Sequence, residues 1–249
     1  MEKISPEDYG LFISSALSVN CGRIYPLSIA EGIQKGDIFT DGNACLFHHT
    51  CGFAFISGDV RTSFLEDIFQ LMKVTPRRIV LFSENGPVNS FFRSRKEISA
   101  EYRDFYSYCG EAEKIMPLPE GYRMYRIDEG LIPKIRGRIT PAFSWTSVTD
   151  FLSHGAGFCV TYGDEPAAWA FSAAVSSEEI DIGVETLPAH QCRGLSIAAA
   201  QEMVRYAIQN GKAPVWACHR NNIAAARTAA KLGFRKSGEC LIIKCIKEI

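Results

Sequence analysis

Between residues 186 and 196 the chain reads Thr-Leu-Pro-Ala-His-Gln-Cys-Arg-Gly-Leu-Ser. Before it, Ile180, Ile182 and Val184 alternate with Asp181, Gly183 and Glu185, the period of a strand with one face in a core. After it, Leu195, Ala198, Ala199, Met203, Tyr206 and Ala207 recur at helical spacing. The spacing thus predicts a glycine-bearing turn between a strand end and a helix start. The first N–H groups of a helix lack intrahelical partners and the macrodipole is positive there, so backbone donors can hold a pyrophosphate without a lysine cluster. Gly194 allows close approach of the backbone, Ser196 is too small to collide with phosphate oxygens, and Arg193 adds charge. The stretch is neither G-x-x-x-x-G-K-[ST] nor G-x-G-x-x-G, which argues against nucleoside triphosphates and dinucleotides. The plainer reading of Gln191, Arg193 and Gly194 is a helix-entry turn.

Few other residues invite a chemical reading on their own. The nine cysteines (21, 45, 51, 109, 159, 192, 218, 240 and 245) are odd in number and widely spaced, and no two form C-x-x-C. Reduced, mostly buried thiols are expected. His48-His49 beside Cys45 and Cys51 is the one cluster a metal could use. Without a second metal-spaced pair these read as core and turn residues, so no metal is expected.

The C-terminal half supplies the positioning elements. A hairpin is expected from residues 157–162 and 166–174, with Gly163-Asp164 as its turn. A strand over 179–186, a helix closed by Asn210-Gly211, a short strand at 215–217, a helix over 223–232 ended by Gly233, and an extended stretch over 234–247 follow. The order is β-β-β-α-β-α-β, a mixed-sheet α/β arrangement. For the N-terminal half the sequence predicts a helix over 6–19, strands near 37–40 and over 44–57, and a helix over 62–72. A strand at 78–82, a short helix at 87–92 and a strand at 97–108 complete it. That order parallels the second half and suggests a diverged copy of it, although no residue-level repeat is visible. Charge and two prolines between Gly110 and Gly121 set the expected boundary, giving domains 1–115 and 116–249.

Gln191-x-x-Gly194-x-Ser196 resembles the [QR]-x-x-G-x-[GA] signature of the GNAT superfamily of acetyl-CoA-dependent N-acetyltransferases. The block from Asn222 to Phe234 is similar to the N-x-x-[AS]-x-x-x-x-x-K-L-G-F stretch that closes the same fold. Gly155-Ala156-Gly157-Phe158-Cys159, Gly183-Val184-Glu185-Thr186 and Pro214-Val215-Trp216-Ala217-Cys218 look like the branch containing the zwittermicin A resistance acetyltransferases. The likeness covers residues 121–249 well, and the first half only through that branch's two-part layout. It implies a splayed sheet that admits acetyl-CoA between the strands at 179–186 and 213–217. Backbone groups of Val184, Glu185 and Thr186 are then expected to pair with the pantetheine arm, one N–H polarising the thioester carbonyl. Gln191, Cys192, Arg193, Gly194, Leu195, Ser196 and Ile197 take the pyrophosphate, and Asn222 bonds the pantetheine or caps its helix. The resemblance further implies direct attack by an amine and departure of coenzyme A as a thiolate.

Proton handling departs from the family pattern. Many relatives place a Tyr seven residues after the Asn, and here that position is Ala229. Cys218, His219, Tyr206 or water are the candidate acids; Glu179, Asp181 and Glu185 are the candidate bases, Glu185 first. Glu185 has a plainer reading as a structural carboxylate, Cys218 as a small buried hydrophobe, and Trp169 and Trp216 as core.

Composition narrows the partners. The 249 residues carry 47% hydrophobic and 22% charged side chains and a net charge of -1, an ordinary globular profile with no basic field for a polyanion. Nucleic acid and membrane are not expected partners. An acidic, polar N-terminus without a signal-like apolar stretch points to the cytoplasm. The expected activity is transfer of acetyl to a primary amine of a small molecule. The alternatives are a non-catalytic CoA-binding module and a protein N-acetyltransferase.

Overall fold

A computed structural model of the chain describes residues 1–110 and 117–246. They cluster into two compact units: Met1–Phe105 with His219–Asn221 and Gly238–Ile249, and Tyr106–Cys218 with Asn222–Ser237. The boundary expected at residues 115–116 and the end of the last expected strand at 247 lie outside the described residues. Among those described, no helix is long and apolar enough to cross a membrane.

The first unit opens with β1 (Glu2–Lys3), a 3-10 turn Pro6–Phe12, α1 (Ile13–Leu17) and α2 (Ile24–Ala30). The helix expected over 6–19 is therefore two short pieces, and α2 was not legible. Next come β2 (Gly36–Thr40), β3 (Ala44–His49) and β4 (Phe53–Gly58). The single strand expected over 44–57 is in fact a hairpin. Its chain reverses at Gly52, which has φ +89°, and a Cβ there would strike the backbone and side chain of Arg78. Then follow α3 (Thr62–Val74), β5 (Val80–Ser83), α4 (Gly86–Arg93) and β6 (Ile98–Tyr108), whose last residues belong to the second unit. β2, β3 and β4 pair antiparallel in sequence, and β5 lies parallel to β4. One sheet face is sealed by Phe64, Leu65, Ile68, Phe69 and Met72, the apolar stripe of α3, with Val88 and Phe92 of α4. The other carries Tyr9, Ala16, Leu27 and Ile29 against Ile38, Cys45 and Phe47.

The His48-His49 pair lies inside this unit. His48 Nε2 meets the carbonyl of Arg78 at 3.1 Å, and its Nδ1 accepts from Arg77, which also pairs with Asp37. His49 Nδ1 sits 3.1 Å from Cys51 Sγ and accepts the Cys51 amide at 3.2 Å. Among the described residues no three His, Cys, Asp or Glu side chains are grouped to hold a metal. Burial first, then the charge of Arg77, holds the His48 imidazole down at about 4 and that of His49 at about 3. Both rings are neutral structural parts of the hairpin.

The second unit contains β7 (Tyr122–Arg126), α5 (Val148–His154), β8 (Gly157–Tyr162), β9 (Glu165–Val175) and β10 (Glu179–Thr186). They are followed by α6 (Leu195–Gln209), β11 (Ala213–His219), α7 (Ile223–Lys231) and β12 (Phe234–Cys245), whose second half returns to the first unit and pairs antiparallel with β5. The strand order here is β11-β10-β9-β8-β7, antiparallel except for the parallel β10–β11 pair. α6 packs on β8, β9 and β10. Its Ala199 and Ala200 are fully buried, as are Ala167, Ala168 and Ala170 of β9, so small residues let helix and sheet approach closely. The series β2 to β5 and the series β8 to β11 share one topology: three antiparallel strands, a helix, then a strand parallel to the third.

Candidate functional site

β10 and β11 pair in parallel only over Glu179–Ala213, Ile180–Pro214 and Asp181–Val215. β10 nevertheless stays paired with β9 on its other side as far as Thr186. A register shift between Asp181 and Ile182 marks the point of divergence. A bulge sharpens local twist, and here it turns the end of β10 away from its parallel neighbour. Among the described residues, the β11-side edge of residues 182–186 therefore has no strand partner. Val184, Glu185 and Thr186 are half-buried on this open edge, and the hydroxyl of Thr186 is buried with no hydrogen-bond partner.

The turn leaving that edge leads straight to a helix start. Leu187 is extended, residues Pro188–His190 make a 3-10 turn, and α6 begins at Leu195. Its N-cap is Gly194, at φ +76°, with no side-chain cap on the first-turn amides. Cys192 also has positive φ, at 61°, whereas Arg193 between them does not. Alternating backbone hand of this kind turns successive N–H groups into an anion-binding concavity. A Cβ on Gly194 would meet nothing within 4 Å, and residues 191–194 are exposed. The cradle is thus open, and its amides together with the free strand edge fit a diphosphate carried on an extended arm. Gln191 braces the turn: its Nε2 donates to the carbonyl of Thr186 at 3.4 Å.

The remaining candidates take distinct positions. Both carboxylate oxygens of Glu185 are engaged, accepting the amide of Arg138 at 3.1 Å and that of Ile139 at 2.6 Å. Asn222 caps α7, its Oδ1 accepting from the amide of Ala225 at 3.1 Å. Cys218 is buried, with its thiol 3.9 Å from the Tyr106 hydroxyl. His219 falls in the first unit, with Nδ1 3.2 Å from a Glu101 carboxylate oxygen. Burial, followed by the charges of Arg103 and Lys244, holds its imidazole below the usual range. Ala229 is fully buried, so that position has no space for a phenol ring. The ring of Tyr206 lies under the guanidinium of Arg126. Asp181 is buried in the sheet.

Two groups of supporting residues escaped the sequence reading. Tyr122 and Tyr162 face each other across β7 and β8, their ring centroids 5.0 Å apart. The Tyr122 hydroxyl bonds His190 Nδ1 at 2.9 Å, and the Arg193 guanidinium lies 5.9 Å over the Tyr122 ring. These contacts tie the turn at residues 190–193 to β7. The second group is a loop at residues 137–139, held by Glu185 and by Trp169, whose Nε1 donates to the carbonyl of Ile139 at 2.7 Å. Trp169 and Glu185 are register partners on β9 and β10. A side chain at Gly137 would lie 2.7 Å from both Glu185 Cδ and Trp169 Cζ2, so the close approach requires glycine. A glycine flanked by arginines carries no signal for such a contact, because its partner lies nearly fifty residues away.

The model of the GNAT acetyltransferase family matches residues 23–242. The chain belongs to the GNAT acetyltransferase family. It is 26% identical over 200 residues to the uncharacterized N-acetyltransferase YdfB of Bacillus subtilis, covering 77% of each chain. A GCN5-related N-acetyltransferase-like protein from Streptococcus suis shares its fold at a TM-score of 0.76 and 19% identity, over 97% of this chain and all of that one. A tandem GNAT protein from the clavulanic acid biosynthesis pathway superposes at a TM-score of 0.59 and 10% identity, over 100% and 99% of the two chains. The GNAT-type sheet expected from the second half is present. The two-part neighbour accords with the repeated topology of the first half.

Proposed function

We propose that this GNAT protein transfers acetyl from acetyl-CoA to a primary amine of a small molecule within a ternary complex. The observation that carries the reading is the conjunction of an uncapped helix N-terminus, entered through Cys192 and Gly194 at positive φ, with the strand edge left open beyond Asp181. Acetyl-CoA supplies an acyl group activated as a thioester. The amides of Cys192, Arg193, Gly194, Leu195, Ser196 and Ile197 hold its diphosphate, and Arg193 adds a cation. The open edge of Val184, Glu185 and Thr186 receives the pantetheine arm as an added strand, an N–H of that edge polarising the carbonyl. Asn222 is assigned to capping α7.

The candidate proton carriers are sorted by their engagements. Glu185 already accepts two amides, so it is assigned to holding the loop at 137–139 and not to taking a proton. Cys218 is a buried thiol. His219 belongs to the first unit and is assigned no step at this site. The likeness to the zwittermicin A resistance branch favours a polar, amine-bearing acceptor. Nine free thiols suit a reducing cytoplasm.

Incubation with acetyl-CoA and a panel of amines, following thiol release, tests the proposal. The expected result is amine-dependent release that disappears in Gly194→Glu. CoA binding with no release for any amine would instead favour a non-catalytic CoA module.

A further inference from the structure

The first unit has its own place where parallel strands part. β4 and β5 pair over Phe53–Val80, Ala54–Leu81 and Phe55–Phe82, and a cavity of about 400 Å³ opens past those residues. In α/β sheets, ligands are held in the crevice outside the carboxyl ends of parallel strands, and this volume lies within the range of small-molecule sites. Phe55, Ile56, Phe82 and Val88 line it together with the polar Asn20, Ser83 and Asn85. Ser57 also lines it; that residue is 7% exposed and its hydroxyl has no hydrogen-bond partner.

Among the described residues that line the cavity, Glu84 alone has a formal charge, and it is exposed. Its Oε1 accepts the amide of Cys21 at 2.8 Å, Oε2 meets Asn20 at 3.5 Å, and the Cys21 thiol also bonds the carboxylate; with about four lone-pair sites, acceptor capacity remains. Cys21 and Cys240 also line the space, and burial first, with Glu84 beside them, pushes both thiols up, leaving them neutral. A diphosphate does not fit.

We propose that this cavity is a second small-molecule site, which takes an organic ammonium with a short apolar body: the cation at Glu84, the body against Phe55, Phe82 and Val88. It does not depend on the transferase reading.

Saturation-transfer NMR on the full chain without acetyl-CoA tests it, using phenethylammonium and 3-phenylpropionate, which match in size and differ in charge. Phenethylammonium is expected to bind and 3-phenylpropionate to bind at least several-fold more weakly. Glu84→Gln should weaken the amine about fivefold, the scale of one exposed charge pair. Val60→Trp, which fills the cavity from a lining position, should remove binding. Equal binding of the two probes, no binding of either at millimolar concentration, or amine affinity unchanged in Val60→Trp would overturn the proposal. Circular dichroism melts establish that each variant is folded, and Val60→Trp decides the matter if Glu84→Gln is not.

Discussion

Replacing Glu185 by Gln separates a loop anchor from a catalytic base. The carboxylate accepts two backbone amides, from Arg138 and Ile139, and charge-assisted bonds of this kind are each worth about 1.5–3 kcal/mol. The amide side chain keeps one acceptor oxygen and turns an NH2 toward the other backbone donor. One bond then falls to neutral strength and the other becomes a donor–donor clash, a loss of roughly 2–3 kcal/mol. For a unit of this size, that lowers Tm by roughly 5–10 °C. Displacement of residues 137–139 should raise KM for the amine more than it lowers kcat, with the pH profile of kcat/KM unshifted. Trp169→Phe removes the other tie to the same loop and should act in the same direction, costing about 1 kcal/mol. Thermal melts and steady-state kinetics across pH read all of this. An unchanged Tm in Glu185→Gln, with kcat down a hundredfold and the acidic limb of the profile lost, would refute the anchor and restore the base.

Asn222→Ala should cost about 1 kcal/mol through loss of the cap on α7, read by urea denaturation, with CoA affinity changed less than threefold. Tyr122→Phe removes the bond that ties His190 to β7 and should weaken CoA severalfold in calorimetry without lowering stability by more than about 1 kcal/mol. His48 and His49 titrate well below their unfolded value of about 6.5, so the unfolded chain binds more protons below that pH and stability falls as pH falls. By pH 5 the share of His48 alone is about 2 kcal/mol. Urea curves at pH 5 and 7.5 should show the loss, diminished in His48→Gln; coincident curves would contradict it.

Much of the second unit was legible because its signals are local. The alternation from Ile180 to Val184 and the helical spacing after Gly194 mark a strand–turn–helix, and the role proposed for the turn rests on backbone groups whose availability follows from helix geometry itself. The first unit yielded less. α2 is buried on every side and carries Pro26, so it showed neither an amphipathic stripe nor an uninterrupted run, although proline is tolerated in a first turn. The β3–β4 hairpin hid within an apolar run because its turn, from Thr50 to Gly52, contains one glycine and no other strong breaker. The same limit applied at the site. Gln191 and Gly194 declared themselves by spacing, whereas the engagement of Glu185 with residues 138 and 139, and of Tyr122 with His190, joins distant segments that only the folded chain brings together.

Titration calorimetry of the wild-type chain and of Gly194→Glu with acetyl-CoA tests the central claim most directly. Saturable heat from the wild type, and none from a folded Gly194→Glu, is the predicted pair of results: the carboxylate puts bulk and negative charge into the open space above the first-turn amides. Equal affinities in the two proteins, or no heat from the wild type at millimolar ligand, would contradict the claim that the backbone past Gln191 holds the diphosphate.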